Sequence, residues 1–196
     1  MARLPRCRAM TLPSFLRKPA RTWWMRTRLR ADTGLPLQVG ALPFRKGAGD
    51  RLEVMLVTGK GGGSWIVPKG WPMRGRTLAE AAAQEAYEEA GVRGRMTGPP
   101  IGRFDNRKNH RWLGPIECTI EVYPMHVTHS LGEWPEKGLR RRRWFDEEEA
   151  TGVLRSGELR ALVRAFLGGD PAAQALRTGE GETPDPDRSS EDGNAG

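Results

Sequence analysis

Glu85, Glu88 and Glu89 stand at i, i+3 and i+4 within the run Glu85-Ala86-Tyr87-Glu88-Glu89-Ala90-Gly91-Val92. On an α-helix those offsets place three carboxylates on one face. Like charges so crowded repel one another unless a cation lies among them. Hard oxygen donors in this array suit Mg²⁺, or Mn²⁺ in its place, because such an ion takes a few carboxylates and keeps positions for water and phosphate oxygens. The chemistry expected is metal-assisted cleavage of a diphosphate, with Glu85, Glu88 and Glu89 serving as both the metal ligands and the catalytic residues.

The element that must hold them is a helix with clear ends. Thr77-x-x-Glu80 is a capping box, and Gly91 is suited to the left-handed residue that closes a helix. Ala79, Ala82, Ala83, Ala86 and Ala90 form a small-residue stripe that lets the helix lie close to a sheet. An ordinary amphipathic helix would need no more than these caps and alanines. It would not need three glutamates in its last two turns, where the helix dipole is already negative and added anions are unfavourable. A bound divalent ion resolves that conflict.

With its flanks included, the stretch WIVPKGWPMRGRTLAEAAAQEAYEEAGV over 65–92 resembles the signature of the Nudix hydrolases, G-x5-E-x7-R-E-U-x-E-E-x-G-U with U apolar. Gly70 falls on its first glycine, Glu85, Glu88 and Glu89 on its acidic run, Ala86 on its inner apolar position, and Gly91-Val92 on its end. Two positions depart: Arg76 stands for the first signature glutamate and Gln84 for the signature arginine. Arg76 and Glu80, at i and i+4, are suited to form a replacement pair. The run Pro68-Lys69-Gly70 with Trp65 before it, then Trp134-Pro135-Glu136-Lys137 and Arg143-Trp144-Phe145 followed by Glu149-Ala150, resembles the diphosphoinositol polyphosphate and diadenosine polyphosphate hydrolase branches. The resemblance spans roughly 36–168. It implies an α/β/α sandwich around a mixed sheet, and a Mg²⁺-dependent pyrophosphohydrolase acting on a highly phosphorylated small molecule. Two alternatives stay open: a nucleotide or capped-RNA pyrophosphohydrolase, and a non-catalytic Nudix-fold sensor of phosphorylated ligands. The resemblance also implies a fourth carboxylate, for which Glu117, Glu121, Glu133, Glu136 and Glu148 are all available.

The rest of the chain reads as mixed α and β. Strands are expected over 37–44 and 52–58 with a turn between, over 116–122 as a half-buried alternating strand, and over 141–145. Helices are expected over 148–154 and 157–167, the second with Leu159, Leu162, Val163, Phe166 and Leu167 on one apolar face. The glycine cluster Gly59-Lys60-Gly61-Gly62-Gly63-Ser64 lacks the spacing of a phosphate-binding P-loop and is expected to be a turn. His126 and His129 point to opposite faces of a strand and so make no zinc pair.

Basic residues speak to substrate charge. Lys69 precedes Gly70; Arg103, Arg107, Lys108 and Arg111 fall in a segment expected to be loop-rich; Arg140 to Arg143 run together. Alternation on a strand sends Arg141 and Arg143 to one side and Arg140 and Arg142 to the other. The candidate substrate-binding residues are Lys69, Gly70, Arg103, Arg141 and Arg143, with arginine favoured for its bidentate grip on phosphate.

Charge is unevenly spread. The whole chain of 196 residues has a formal net charge of +8, whereas residues 1–30 hold nine Lys or Arg and no acid. One domain over 35–169 is expected, between a basic arm over 1–34 and an acidic tail over 170–196, both disordered. The arm's aromatic and basic residues suit contact with nucleic acid or an anionic membrane, though a basic tract alone is weak ground for either. No apolar run in it is long enough for a signal peptide or a membrane span. Cys7 and Cys118 form no metal motif, and a reducing, cytoplasmic setting is the expectation.

Overall fold

The structure, a computed structural model, describes residues 33–110 and 114–168. The expected arm (apart from Thr33 and Gly34), the expected tail and Arg111 lie outside those residues. The elements run β1 Leu37–Lys46, β2 Leu52–Thr58, β3 Trp65–Ile66, β4 Lys69–Gly70, α1 Leu78–Ala90, β5 Val92–Met96, β6 Gly102–His110, β7 Gly114–Ser130, β8 Arg142–Phe145, α2 Glu147–Val153 and α3 Gly157–Leu167. A short 3-10 turn over Ala48–Asp50 joins β1 to β2.

The strands make one mixed sheet with the path β3-β2-β1-β7-β5, to which β4 adds on β1, β6 on β7 and β8 on β2. β1 and β7 run parallel, while the other pairs are antiparallel. Alternation along the central strands builds two cores. Val39 and Ala41 of β1, Met55 and Val57 of β2, and Met125 of β7 pack beneath α1. Leu42 and Phe44, Val54 and Leu56, and Cys118, Ile120 and Val122 face the other way, toward α2 and α3. Helices on both faces of a mixed sheet give the expected α/β/α sandwich.

α1 lies flat on the sheet because its contact face is made of alanines, Ala81, Ala82, Ala86 and Ala90, all fully buried. The expected stripe is thus shifted: Ala81 belongs to it, while Ala79 and Ala83 are only half-buried. Thr77 and Glu80 form the reciprocal capping box, and Gly91 closes the helix at φ 60°.

Two further expectations change. Strand β7 was expected to be half-buried, yet Thr119, Glu121 and Tyr123 on its second face are also buried, because β7 is central and covered on both sides. The segment expected to be loop-rich is strand β6, nine residues paired in register with β7 from Gly102 opposite Val122 to His110 opposite Gly114. His126 packs on Phe44, with ring centroids 5.4 Å apart, while His129 is exposed beside Thr128. Among the described residues no helix is long and apolar enough to cross a membrane.

Candidate active site

The C-terminal half of α1 is gripped from two directions. On one side lies β4. Its pairing with β1, Gly70 opposite Val39 and Lys69 opposite Gly40, sets the segment Pro68-Lys69-Gly70 beside the glutamate face. The backbone N–H of Lys69 donates to Glu89 Oε2 at 3.1 Å. Gly70 approaches so closely that a Cβ added to it would stand 1.9 Å from Glu85 Oε1. Only a residue without a side chain leaves the Glu85 carboxylate that place.

On the other side, residues 131–140 fold against the end of the helix. The N–H of Leu131 donates to the Gly91 carbonyl at 2.8 Å, and that of Glu136 to the Glu88 carbonyl at 3.1 Å. Trp134 covers Gly91, where any Cβ would meet the indole at 2.6 Å. The Arg140 guanidinium binds Glu89 Oε1, and its Nε donates to Glu136 Oε2 at 2.6 Å. Lys60, from the glycine-rich turn, pairs with the other oxygen of Glu136 at 2.6 Å. Arg142 stacks 3.9 Å from the centre of the Trp134 ring. It donates to the carbonyls of Ala90, Gly91 and Leu131 and so caps the negative end of the helix with a cation.

Electrostatics follow from this geometry. Burial pushes the Glu85 carboxyl up from 4.5 to about 7; the charges of Glu89 and Glu88 add to the rise, and Lys69 opposes it. Burial raises Glu89 as well, against the pull of Lys69 and Arg140. At Glu136 burial acts upward too, but the hydrogen bonds from Lys60 and Arg140 outweigh it and hold the carboxyl below its ordinary value.

No three acidic, histidine or cysteine side chains among the described residues already form a closed metal cage. Each glutamate has its own protein partner: Glu85 rests on Gly70, Glu88 accepts from Gln84 Nε2 at 2.8 Å, and Glu89 is held by Lys69 and Arg140. The donor set nevertheless fits a hard divalent cation. Three carboxylates share one helix face, and such an ion would offset both the burial and, after it, the repulsion from Glu89 and Glu88 that raise Glu85.

Residues 34–164 match the NUDIX domain family. The chain belongs to the Nudix hydrolases. It is a pyrophosphohydrolase by that membership. Nudix hydrolase 12, mitochondrial, of Arabidopsis thaliana is 31% identical over 172 residues, covering 79% of this chain and 84% of that protein. Diphosphoinositol polyphosphate phosphohydrolase 2 of Rattus norvegicus is 36% identical over 132 residues, covering 65% and 68% respectively. Among solved structures, a binary complex of C. elegans Ap4A hydrolase superposes with TM-score 0.50 at 22% identity, over 68% of this chain and 98% of that one. The NUDIX domain of Shewanella oneidensis NrtR complexed with ADP ribose superposes with TM-score 0.51 at 15% identity, over 67% and 87%. At such identities the superpositions speak for the fold.

Within this Nudix site the signature departures touch each other. Arg76 donates to Gln84 Oε1 at 3.1 Å instead of forming the expected side-chain pair with Glu80, whose carboxylate is occupied by the Thr77 N–H and hydroxyl. Of the five acids open for a fourth carboxylate, Glu136 is the one brought to the glutamate face. Glu121 is buried between Arg103 Nε, at 2.6 Å, and the Tyr123 hydroxyl. Glu117 faces Arg107, Glu133 binds Lys137, and Glu148 lies in the first turn of α2.

The arginine run divides between two sides as alternation predicts, and the pair that meets α1 is Arg140 and Arg142. Arg143 forms an exposed ion pair with Glu149, and Arg141 lies 5.7 Å from the centre of the Trp65 ring. Arg140, Glu136 and Lys60 were not singled out as a set from sequence. The nearest signal was the Trp-Pro-Glu-Lys run and the alternation itself.

Proposed function

We propose that this Nudix hydrolase cleaves a diphosphate linkage in a highly phosphorylated small molecule, of diphosphoinositol polyphosphate or dinucleoside polyphosphate type, with Mg²⁺ held by Glu85, Glu88 and Glu89. One observation carries the reading: the Lys69-Gly70 strand is seated on the glutamate face, with the Glu85 carboxylate lying where a Gly70 side chain would stand. Gly70 thus lets backbone, rather than a side chain, lie against the Glu85 carboxylate.

Mg²⁺ or Mn²⁺, when bound, supplies charge neutralisation at the phosphoryl oxygens and acidifies the attacking water. Either Glu85 or a downstream acid, of which Glu136 is the one held against this helix, would accept the proton of the attacking water. Arg140 and Lys69 orient Glu89 and oppose the rise that burial causes there. The Lys69 ammonium binds a phosphate next to the cleaved bond, while Arg103 and Arg143, paired with Glu121 and Glu149, and Arg141, beside Trp65, would reach a phosphate only by exchanging those contacts. The similarity to the rat diphosphoinositol polyphosphate phosphohydrolase 2 supports the same class.

The test is phosphate release by the full chain, with and without Mg²⁺, across diphosphoinositol polyphosphates, dinucleoside polyphosphates, nucleoside diphosphate sugars and triphosphorylated or capped RNA. Turnover of either of the first two classes, abolished by chelation, is expected. Turnover confined to nucleotides or RNA would replace the substrate class, and tight binding without turnover would replace catalysis by sensing.

A further inference from the structure

The two residues that break the Nudix signature form, with a signature glutamate, a chain of hydrogen bonds. Arg76 donates to Gln84 Oε1 at 3.1 Å, and Gln84 Nε2 donates to Glu88 Oε1 at 2.8 Å. A carboxamide has one accepting and one donating end. Flipping the Gln84 amide would set its NH₂ against the Arg76 guanidinium and its oxygen against the Glu88 carboxylate, two repulsions in place of two bonds. Arg76 therefore fixes which way Gln84 points, and Gln84 fixes one oxygen of Glu88 while leaving the other unclaimed by it.

We propose that Gln84 is a positioning residue that presents Glu88 to a divalent cation, and that Arg76 acts on the metal site only through Gln84. The inference rests on the assignment of Glu88 as a metal ligand. Its physical content is a displaced charge. An arginine at 84 would place a full positive charge against Glu88 and compete with a cation for it. A neutral amide orients the carboxylate without neutralising it, and the positive charge stands one side chain further out, at Arg76. Arg76 is exposed, with its charge also felt by Glu80, and Gln84 is half-buried.

The experiment is calorimetric Mn²⁺ titration of the full chain for wild type, Gln84→Met, Arg76→Met, their double variant and Glu88→Gln. Metal-free melting temperature and the Mg²⁺ concentration needed for half-maximal turnover are measured alongside. Gln84→Met is expected to weaken Mn²⁺ binding about tenfold, as losing an orienting partner of a metal ligand does. The half-maximal Mg²⁺ concentration rises in step, while turnover at saturating Mg²⁺ and the metal-free melting temperature are retained. Arg76→Met is expected to weaken binding less, and to have no further effect in the Gln84→Met background. Unchanged affinity in Gln84→Met beside lost affinity in Glu88→Gln overturns the positioning role and leaves the metal site standing. An Arg76→Met effect of equal size in both backgrounds, in either direction, overturns the serial arrangement. Absent Mn²⁺ binding in wild type, or undiminished binding in Glu88→Gln, overturns the metal-site assignment itself and this inference with it.

Discussion

The Arg140 guanidinium binds the Glu89 carboxylate across 51 residues of chain, and each side chain is only 6% exposed. A pair so buried is costly to break, because removing one partner leaves the other charged and unsolvated. Arg140→Met is therefore expected to lower the stability of the metal-free protein at pH 7.5 by about 3 kcal/mol, read from chemical denaturation. Adding Glu89→Gln to that variant recovers much of the loss, since the stranded charge is gone. Divalent metal recovers part of it by supplying another cation. An Arg140→Met protein as stable as wild type would mean that Glu89 does not depend on this partner.

Glu88→Gln and Glu89→Gln each keep size and shape while removing a charge. Each is expected to cut turnover at saturating Mg²⁺ by at least about a hundredfold, the usual cost of deleting one essential electrostatic group. Circular dichroism and melting should show both proteins folded. Near-normal turnover in both would refute the metal-site assignment.

How much of this could be read beforehand differs between elements. Helix α1 was legible because everything that defines it is local: the Thr77–Glu80 box, the Gly91 stop and three glutamates at fixed offsets. Strand β6 was not, because Gly-Arg-Phe-Asp-Asn-Arg-Lys-Asn-His carries one large apolar residue and gains its strand form from pairing with β7. The same split runs through the site. Glu85, Glu88 and Glu89 ride on one helix, whereas Arg140, Glu136 and Lys60 arrive from distant turns whose packing no local pattern encodes. Alternation told that the four arginines divide in two. Only tertiary structure, with Trp134 over Gly91, decides that the even-numbered pair faces α1.

Glu85 makes metal-free stability depend on pH. Its folded-state value is raised from 4.5 to about 7, first by burial and then by Glu89 and Glu88. A raised carboxyl binds its proton more tightly when folded, so its contribution is fully present below 4.5 and is lost as pH rises through about 7. Glutamine imitates the protonated form. Glu85→Gln is therefore expected to raise the metal-free melting temperature clearly at pH 8 and scarcely at pH 5, while abolishing turnover. A variant that gains as much stability at pH 5 as at pH 8 would show that Glu85 does not titrate in this window.

Gly70 offers a way to disturb that same carboxylate without touching it. A Cβ at position 70 would lie 1.9 Å from Glu85 Oε1, 2.1 Å from Cδ and 2.5 Å from Oε2, so alanine cannot fit while the carboxylate stays. All three atoms belong to the free end of a flexible side chain, so the carboxylate swings aside and the backbone holds. Gly70→Ala is then expected to cost only about 1 kcal/mol of stability, a typical value for a change that opens no cavity. Turnover should nonetheless fall at least about tenfold, because a misplacement of about 1 Å at a reacting centre is enough for losses of that order or more. The decisive comparison is a double-mutant cycle on stability. If the clash is with the Glu85 carboxylate, Gly70→Ala should cost far less in an Glu85→Ala background, where no carboxylate stands in the way. Equal costs in the two backgrounds would place the effect of Gly70→Ala elsewhere, in the β4 backbone and its pairing with Val39.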